Sequence, residues 1–236
     1  MFLVNMINKI QELAKPELIT ADGRTYSSKQ IHPVLAPSPL NLPINTLTGL
    51  SDYLKVNTDK LDPEKLMIHV GSFQSVSLLS ALSDPWKQRD RYIVAECDTL
   101  KFSFGQFMDV ESFIIRMQSL FVQDVATANI LNIVGNITDG TVTAFDDDGV
   151  SQKVTAKAGV SRVKEIPVPN PVTLRPYRTF LEIEQPASKF VFRMRSGEQS
   201  PTCALFEADG GTWKNEAMKS IKKWLEENTT GIPVIA

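Results

Sequence analysis

The stretch "PNPVTLRPYRTF", residues 169–180, holds the residue types best suited to grasping an anion. Arg175 and Arg178 flank Pro176 and Tyr177. A guanidinium fork makes paired hydrogen bonds to phosphate or carboxylate, and prolines preorganise the backbone that carries it. Tyr177 adds a ring on which a base could stack. One reading is therefore a loop that binds a nucleotide or another small anion. The other is a structural loop whose arginines pair with Glu182 and Glu184 of "RTFLEIEQP". Read as a strand, that segment puts Glu182 and Glu184 on one face, with Leu181 and Ile183 on the other, because side chains alternate. In "KFVFRMR" the same period groups Phe190, Phe192 and Met194 against Val191, Arg193 and Arg195. If the two strands pair across a turn at Pro186, the glutamates meet the arginines. That face is either solvated and charge-complementary or a polar ligand site. The candidate ligand-binding set is Arg175, Tyr177, Arg178, Glu182, Glu184, Arg193 and Arg195.

Other clusters carry less. "FDDDG", residues 145–149, fails as a calcium loop. With Gly149 at position 6, positions 1 and 12 fall on Ala144 and Thr155, which cannot supply the missing carboxylates. The triplet sits between two alternating runs, where an Asp-Gly turn belongs. Ser72, Ser75 and Ser77 lie in no nucleophile elbow. Cys97, Cys203, His32 and His69 are too scattered for a zinc site, and the cysteines read as buried free thiols. "DGGTW" at 209–213 reads as a tight turn with Thr212 capping a helix, although such a helix start can also hold an anion. No catalytic set, metal site or cofactor is expected.

The elements that must position these residues follow from periodicity. Phe2, Leu3, Met6, Ile7, Ile10 and Leu13 recur at helical spacing up to Pro16. Asp22-Gly23 marks a hairpin. Four prolines in "IHPVLAPSPLNLPINT" exclude a helix or central strand and suggest an extended arm. A short helix starts at Thr46 or Thr48, and strands run over 65–70 and 92–97. Asp109 should cap a helix with Phe113, Ile114, Met117, Leu120 and Phe121 inward. A second helix carries Ile130, Leu131 and Val134, closed by Gly135 or Gly140. From residue 141 the pattern alternates through "TVTAF", "QKVTAKA", "RTFLEIE", "KFVFRMR" and "CALFEA", with prolines 167, 169, 171, 176 and 186 in the loops. A final helix puts Trp213, Ala217, Ile221, Trp224 and Leu225 on one face.

The fold class expected is α+β: a mixed or antiparallel sheet with a helical middle segment, a β-rich carboxyl half and a terminal amphipathic helix. One domain over 1–236 is expected, with 17–140 and 141–236 as candidate sub-lobes. A formal net charge of -2 argues against a duplex nucleic-acid surface. The amino-terminal helix lacks the length to span a bilayer, so no membrane partner and a cytoplasmic location are expected. Its apolar face and the arm suit contact with a second copy, hence a homo-oligomer.

The order of "VGSFQSVSLL", "FSFGQFMDVESFIIRMQSLF", "DDDGVSQKVTAKAGV", "VPNPVTLRPYRTFLEIEQPASKFVFRMR" and "EADGGTWKNEAM" resembles a phage-encoded family of uncharacterised proteins, distantly similar to the prophage YfdQ-like group. The resemblance covers about three-quarters of the chain. It implies a bacteriophage or prophage source, the host cytoplasm as location, and no catalytic residues to carry over. The functional expectation is a non-enzymatic phage accessory protein that binds a host or phage protein or a small anionic ligand, anti-defence capture of a nucleotide signal included. The alternatives are a single-stranded nucleic-acid-binding protein assisting phage replication or recombination, and a nucleotide-acting enzyme.

Overall fold

The computed structural model describes residues 2–21, 23–29, 37–83, 87–138, 141–147, 152–158, 162–168, 170–195, 197, 201–229 and 231–236. By internal contacts the chain forms two compact units, Met1–Ser38 and Pro39–Ala236. The first holds helix α1 (Phe2–Ala14) and an antiparallel hairpin of β1 (Leu18–Ala21) and β2 (Arg24–Ser27). Gly23 in its turn has φ 73°, a conformation that costs glycine little. Leu3, Met6, Ile7, Ile10 and Leu13 of α1 are all exposed.

The second unit begins with β3 (Leu42–Ile44), α2 (Leu47–Val56), β4 (Leu66–Ser72), β5 (Ser75–Ser80) and β6 (Arg91–Glu96). β7 (Met108–Asp109) leads into α3 (Val110–Leu120) and α4 (Val125–Thr138). Then come β8 (Thr141–Asp147), β9 (Gln152–Ala158), β10 (Arg162–Val168), β11 (Val172–Leu174), β12 (Ser188–Arg195) and β13 (Thr202–Glu207). Helix α5 (Trp213–Asn228) and β14 (Val234–Ile235) close the chain. The strands form a mixed five-stranded sheet in the order β14-β4-β5-β6-β3, an antiparallel four-stranded sheet β11-β12-β13-β7, and a meander β10-β9-β8. The α+β class is as the sequence pattern indicates.

Two hydrophobic cores organise this unit. The face of β12 bearing Phe190, Phe192 and Met194 is buried, together with Phe113 and Met117 of α3 and Ile130 and Val134 of α4. The second core joins Leu47 and Leu50 of α2, Ile68, Val76 and Ile93 of the five-stranded sheet, and Ile221 and Leu225 of α5. Helix ends are satisfied locally. Thr46 Oγ1 accepts from Gly49 N, and Asp109 Oδ1 accepts from Ser112 N at 2.8 Å. Asp124 Oδ1 accepts from Thr127 N at 2.9 Å, starting α4. Pro43 and Pro167 both sit in edge strands, the sheet position where proline is tolerated.

Several expectations need correction. Residues 178–187 form no strand. Phe180 and Ile183 are buried in the second core, at a spacing of three, while Leu181 is 68% exposed. The side-chain amide of Gln185 replaces a sheet ladder: it accepts from Arg178 N at 3.1 Å and donates to the Phe180 carbonyl at 3.0 Å. Pro167 belongs to β10 and not to a loop. Gly135 lies inside α4, which runs on to Thr138. Asp146 and Asp147 end β8 opposite Lys153 and Gln152, whereas Asp148 and Gly149, where the turn is expected, lie outside the described residues, as does the 31–36 part of the proline-rich arm with His32.

Candidate functional site

Five segments of the second unit converge at the seam between its four- and five-stranded sheets. The β4–β5 turn supplies Phe73 and Gln74, and the loop after β6 supplies Lys101 and Phe104. The connection after β11 brings Tyr177 and Arg178. Glu207 ends β13, and Trp213 with Lys214 opens α5. Together they line a cleft of about 270 Å³. Thr179 Oγ1 donates to the Phe73 carbonyl, and Gln74 Nε2 donates to the Arg178 carbonyl, so the two sheets are tied at the cleft wall.

Arg178 is the centre of the arrangement. It is only 8% exposed. Its Nη1 donates to Glu207 Oε1 at 2.7 Å and its Nη2 to Ser188 Oγ. The guanidinium carbon lies 3.5 Å from the ring centroid of Trp213, within cation–π range. Phe73 meets the same indole edge-on, with centroids 4.6 Å apart. Burial pulls the Arg178 guanidinium down to about 10, opposed by the negative charges of Glu207 and Asp209. It therefore stays cationic at neutral pH. Two donors here are buried without a hydrogen-bond partner: Arg178 Nε and Trp213 Nε1. Leaving such a donor unpaired costs about 1–3 kcal/mol. The cleft lining carries three cations, Lys101, Arg178 and Lys214, against the one carboxylate of Glu207.

The residues singled out by sequence disperse unevenly. Tyr177 and Arg178 reach the cleft. Arg175 instead pairs with Glu184 at 2.7 Å, as the structural reading of the loop allows. Glu182 leaves both: its Oε1 accepts from Thr48 N at 3.0 Å in the first turn of α2, where a carboxylate is favoured. Arg193 and Arg195 do not meet the glutamates. They stand opposite Ala204 and Thr202, and the Arg195 guanidinium lies 3.8 Å from the Phe107 ring centroid. The start of α5 is not an open anion cradle. Asp209 Oδ1 accepts from Gly211 N, and the amides of Lys214 and Asn215 are taken by the carbonyls of Gly211 and Thr212. Thr212 does not cap with its side chain, which donates to the Asp209 carbonyl. Phe73, Lys101, Glu207 and Lys214 carry no motif, and Trp213 stands out only as the end of "DGGTW" and as a core-facing helix residue; the loop at 175–178 meets them only in the fold, so no spacing rule joins them.

No family model, curated protein or solved structure matches the chain. Among the described residues, no group of His, Cys, Asp and Glu could hold a metal ion, and no helix is long and apolar enough to cross a membrane. Cys97 and Cys203 are free thiols, half-buried and buried respectively.

Proposed function

We propose that this protein is a non-enzymatic binding module that takes a small anionic ligand with a flat apolar body into the cleft around Arg178 and Trp213. The observation that carries the reading is the cleft lining itself, in which Lys101, Lys214 and the Trp213-stacked Arg178 stand against the single carboxylate of Glu207. An oxyanion is the group that would meet the surplus of positive charge. Aromatic walls from Phe73, Phe104 and Tyr177 suit a ring system, and the volume suits a small molecule and not a polymer. The resemblance to the prophage group supports a phage accessory role in the host cytoplasm, with nucleotide capture against host defence as one form of it.

Calorimetric titration with AMP, a cyclic mononucleotide, benzoate and a single-stranded oligonucleotide tests this. A small acid should bind, and Trp213→Phe should weaken it by about tenfold through the poorer aromatic face it offers to hold Arg178 in place. Binding of the oligonucleotide alone, with the steep salt dependence of many phosphate contacts, would favour the nucleic-acid alternative and refute the cleft reading. Product formation from either nucleotide would refute the non-enzymatic assignment.

A further inference from the structure

We infer that Glu207 is a resident counter-anion that competes with the ligand's acidic group for Arg178, and so determines which ligands the cleft admits. The inference rests on the proposed binding role of the cleft and concerns its selectivity. Arg178 has two inward partners of different kinds. Ser188 is a buried neutral hydroxyl, fixed at the start of β12. Glu207 is a carboxylate at the open end of β13, and its side chain is 40% exposed although that of Arg178 is only 10% exposed. The pair is thus asymmetric. Arg178 is locked by the Trp213 stack and by Ser188, while Glu207 can turn to water with little loss of hydration. An incoming carboxylate or phosphate cannot bond Arg178 without meeting the negative charge of Glu207 at the same fork, because Nη1 already donates to it at 2.7 Å.

This gives the cleft a charge filter. A neutral aromatic ring gains no bond to Arg178 that Glu207 does not already make. A strong anion can take over the Nη1 contact, which lies on the side of the part-exposed Glu207. The guanidinium is never left buried without a counter-charge, with or without ligand, which is the condition that makes a buried arginine tolerable.

The test uses Glu207→Gln on the full chain, with benzoate, phenyl phosphate and benzyl alcohol as probes at millimolar concentrations. The glutamine keeps a neutral oxygen for Arg178 Nη1 and removes the charge. Both acids should bind the variant about tenfold more tightly than the wild type, while benzyl alcohol should be unchanged. Glu207→Asp, which keeps the counter-charge but sets it one methylene further from Nη1, serves if the glutamine variant folds poorly and should tighten both acids by a smaller factor. Equal binding of the acids to wild type and variant overturns the role of Glu207 and leaves the cleft reading standing. Weaker binding by the variant overturns it too, because Glu207 would then be a ligand contact. Absence of acid binding to every form overturns both the inference and the proposed function.

Discussion

Replacing Arg178 by alanine should lower unfolding stability by about 2–3 kcal/mol. Its bond to Glu207 is charge-assisted, which in a buried setting contributes about 1.5–3 kcal/mol. Glu207 is 40% exposed and can rehydrate, so we take about 1 kcal/mol for that contact. The stack on Trp213 is desolvated, and such cation–π contacts reach about 2 kcal/mol. Ser188 Oγ, buried at 2% exposure, would lose its partner at a cost of about 1 kcal/mol. Against these stands relief of the desolvation that holds the guanidinium down at about 10, together with the orphaned Nε, which disappears with the side chain. The offset is on the order of 1–2 kcal/mol. Urea titration followed by circular dichroism measures the difference, with an unchanged slope showing that the same surface is exposed. Arg178→Lys should fall between, since it keeps the charge and loses the planar fork and stack. A loss under about 0.5 kcal/mol for the alanine variant would mean that Arg178 is not held in this geometry, and the cleft reading would lose its centre.

Asp109→Ala should cost about 1 kcal/mol at neutral pH by removing the α3 cap. The Ser112 amide bond holds the Asp109 carboxyl below its ordinary 3.8, so the charge-dependent part of this contribution is present above that value and is lost as pH falls through the lowered one; a gap between the two proteins that does not narrow on acidification refutes the assignment. Burial pushes the Cys203 thiol up to about 12, so at pH 8 a disulfide reagent should modify it only after denaturation; modification of two thiols at native rates would contradict the burial. Light scattering should give a mass above 26.3 kDa for the full chain and a lower multiple once residues 1–38 are removed, because the apolar face of α1 is exposed; a monomer at micromolar concentration refutes this. Glu182→Ala should cost about 0.5–1 kcal/mol through the first turn of α2 without altering any acid binding in the cleft.

The elements that were legible in the sequence are those whose burial follows one period and whose ends are set by neighbours in the chain. Helix α3 is the clearest: Asp109 caps it, and Phe113, Met117 and Leu120 are buried at helical spacing. Strand β12 alternates as its residues require. The segment 178–187 misleads because its alternation of Leu181, Glu182, Ile183 and Glu184 mimics a strand. Its actual conformation is set by contacts made far away in sequence, those of Thr179 with Phe73 and of Glu182 with Thr48. Strands β5, β10 and β11 carry weaker signals: β5 is half serine, β10 contains Pro167, and β11 has three residues.

The same physics separates the two arginines of the loop at 175–178. Arg175 and Arg178 are equivalent in sequence: each is an arginine beside the Pro176–Tyr177 pair. What separates them is the turn between. Leu120 binds Tyr177 N through its carbonyl, and Val122 N binds the Arg175 carbonyl, so the end of α3 grips both sides of Pro176. Gripped there, Arg175 remains half-buried and meets the exposed Glu184, an arrangement worth little to stability. Arg178, three residues on, passes under Trp213 and becomes nearly inaccessible to water. Charge type and local spacing identify groups able to bind an anion. Burial decides which of them retains enough strength to do so, because the attraction between charges rises as water is withdrawn. Burial of Arg178 depends on Trp213, 35 positions further along, and on a hairpin turn at Phe73 that seats the indole edge.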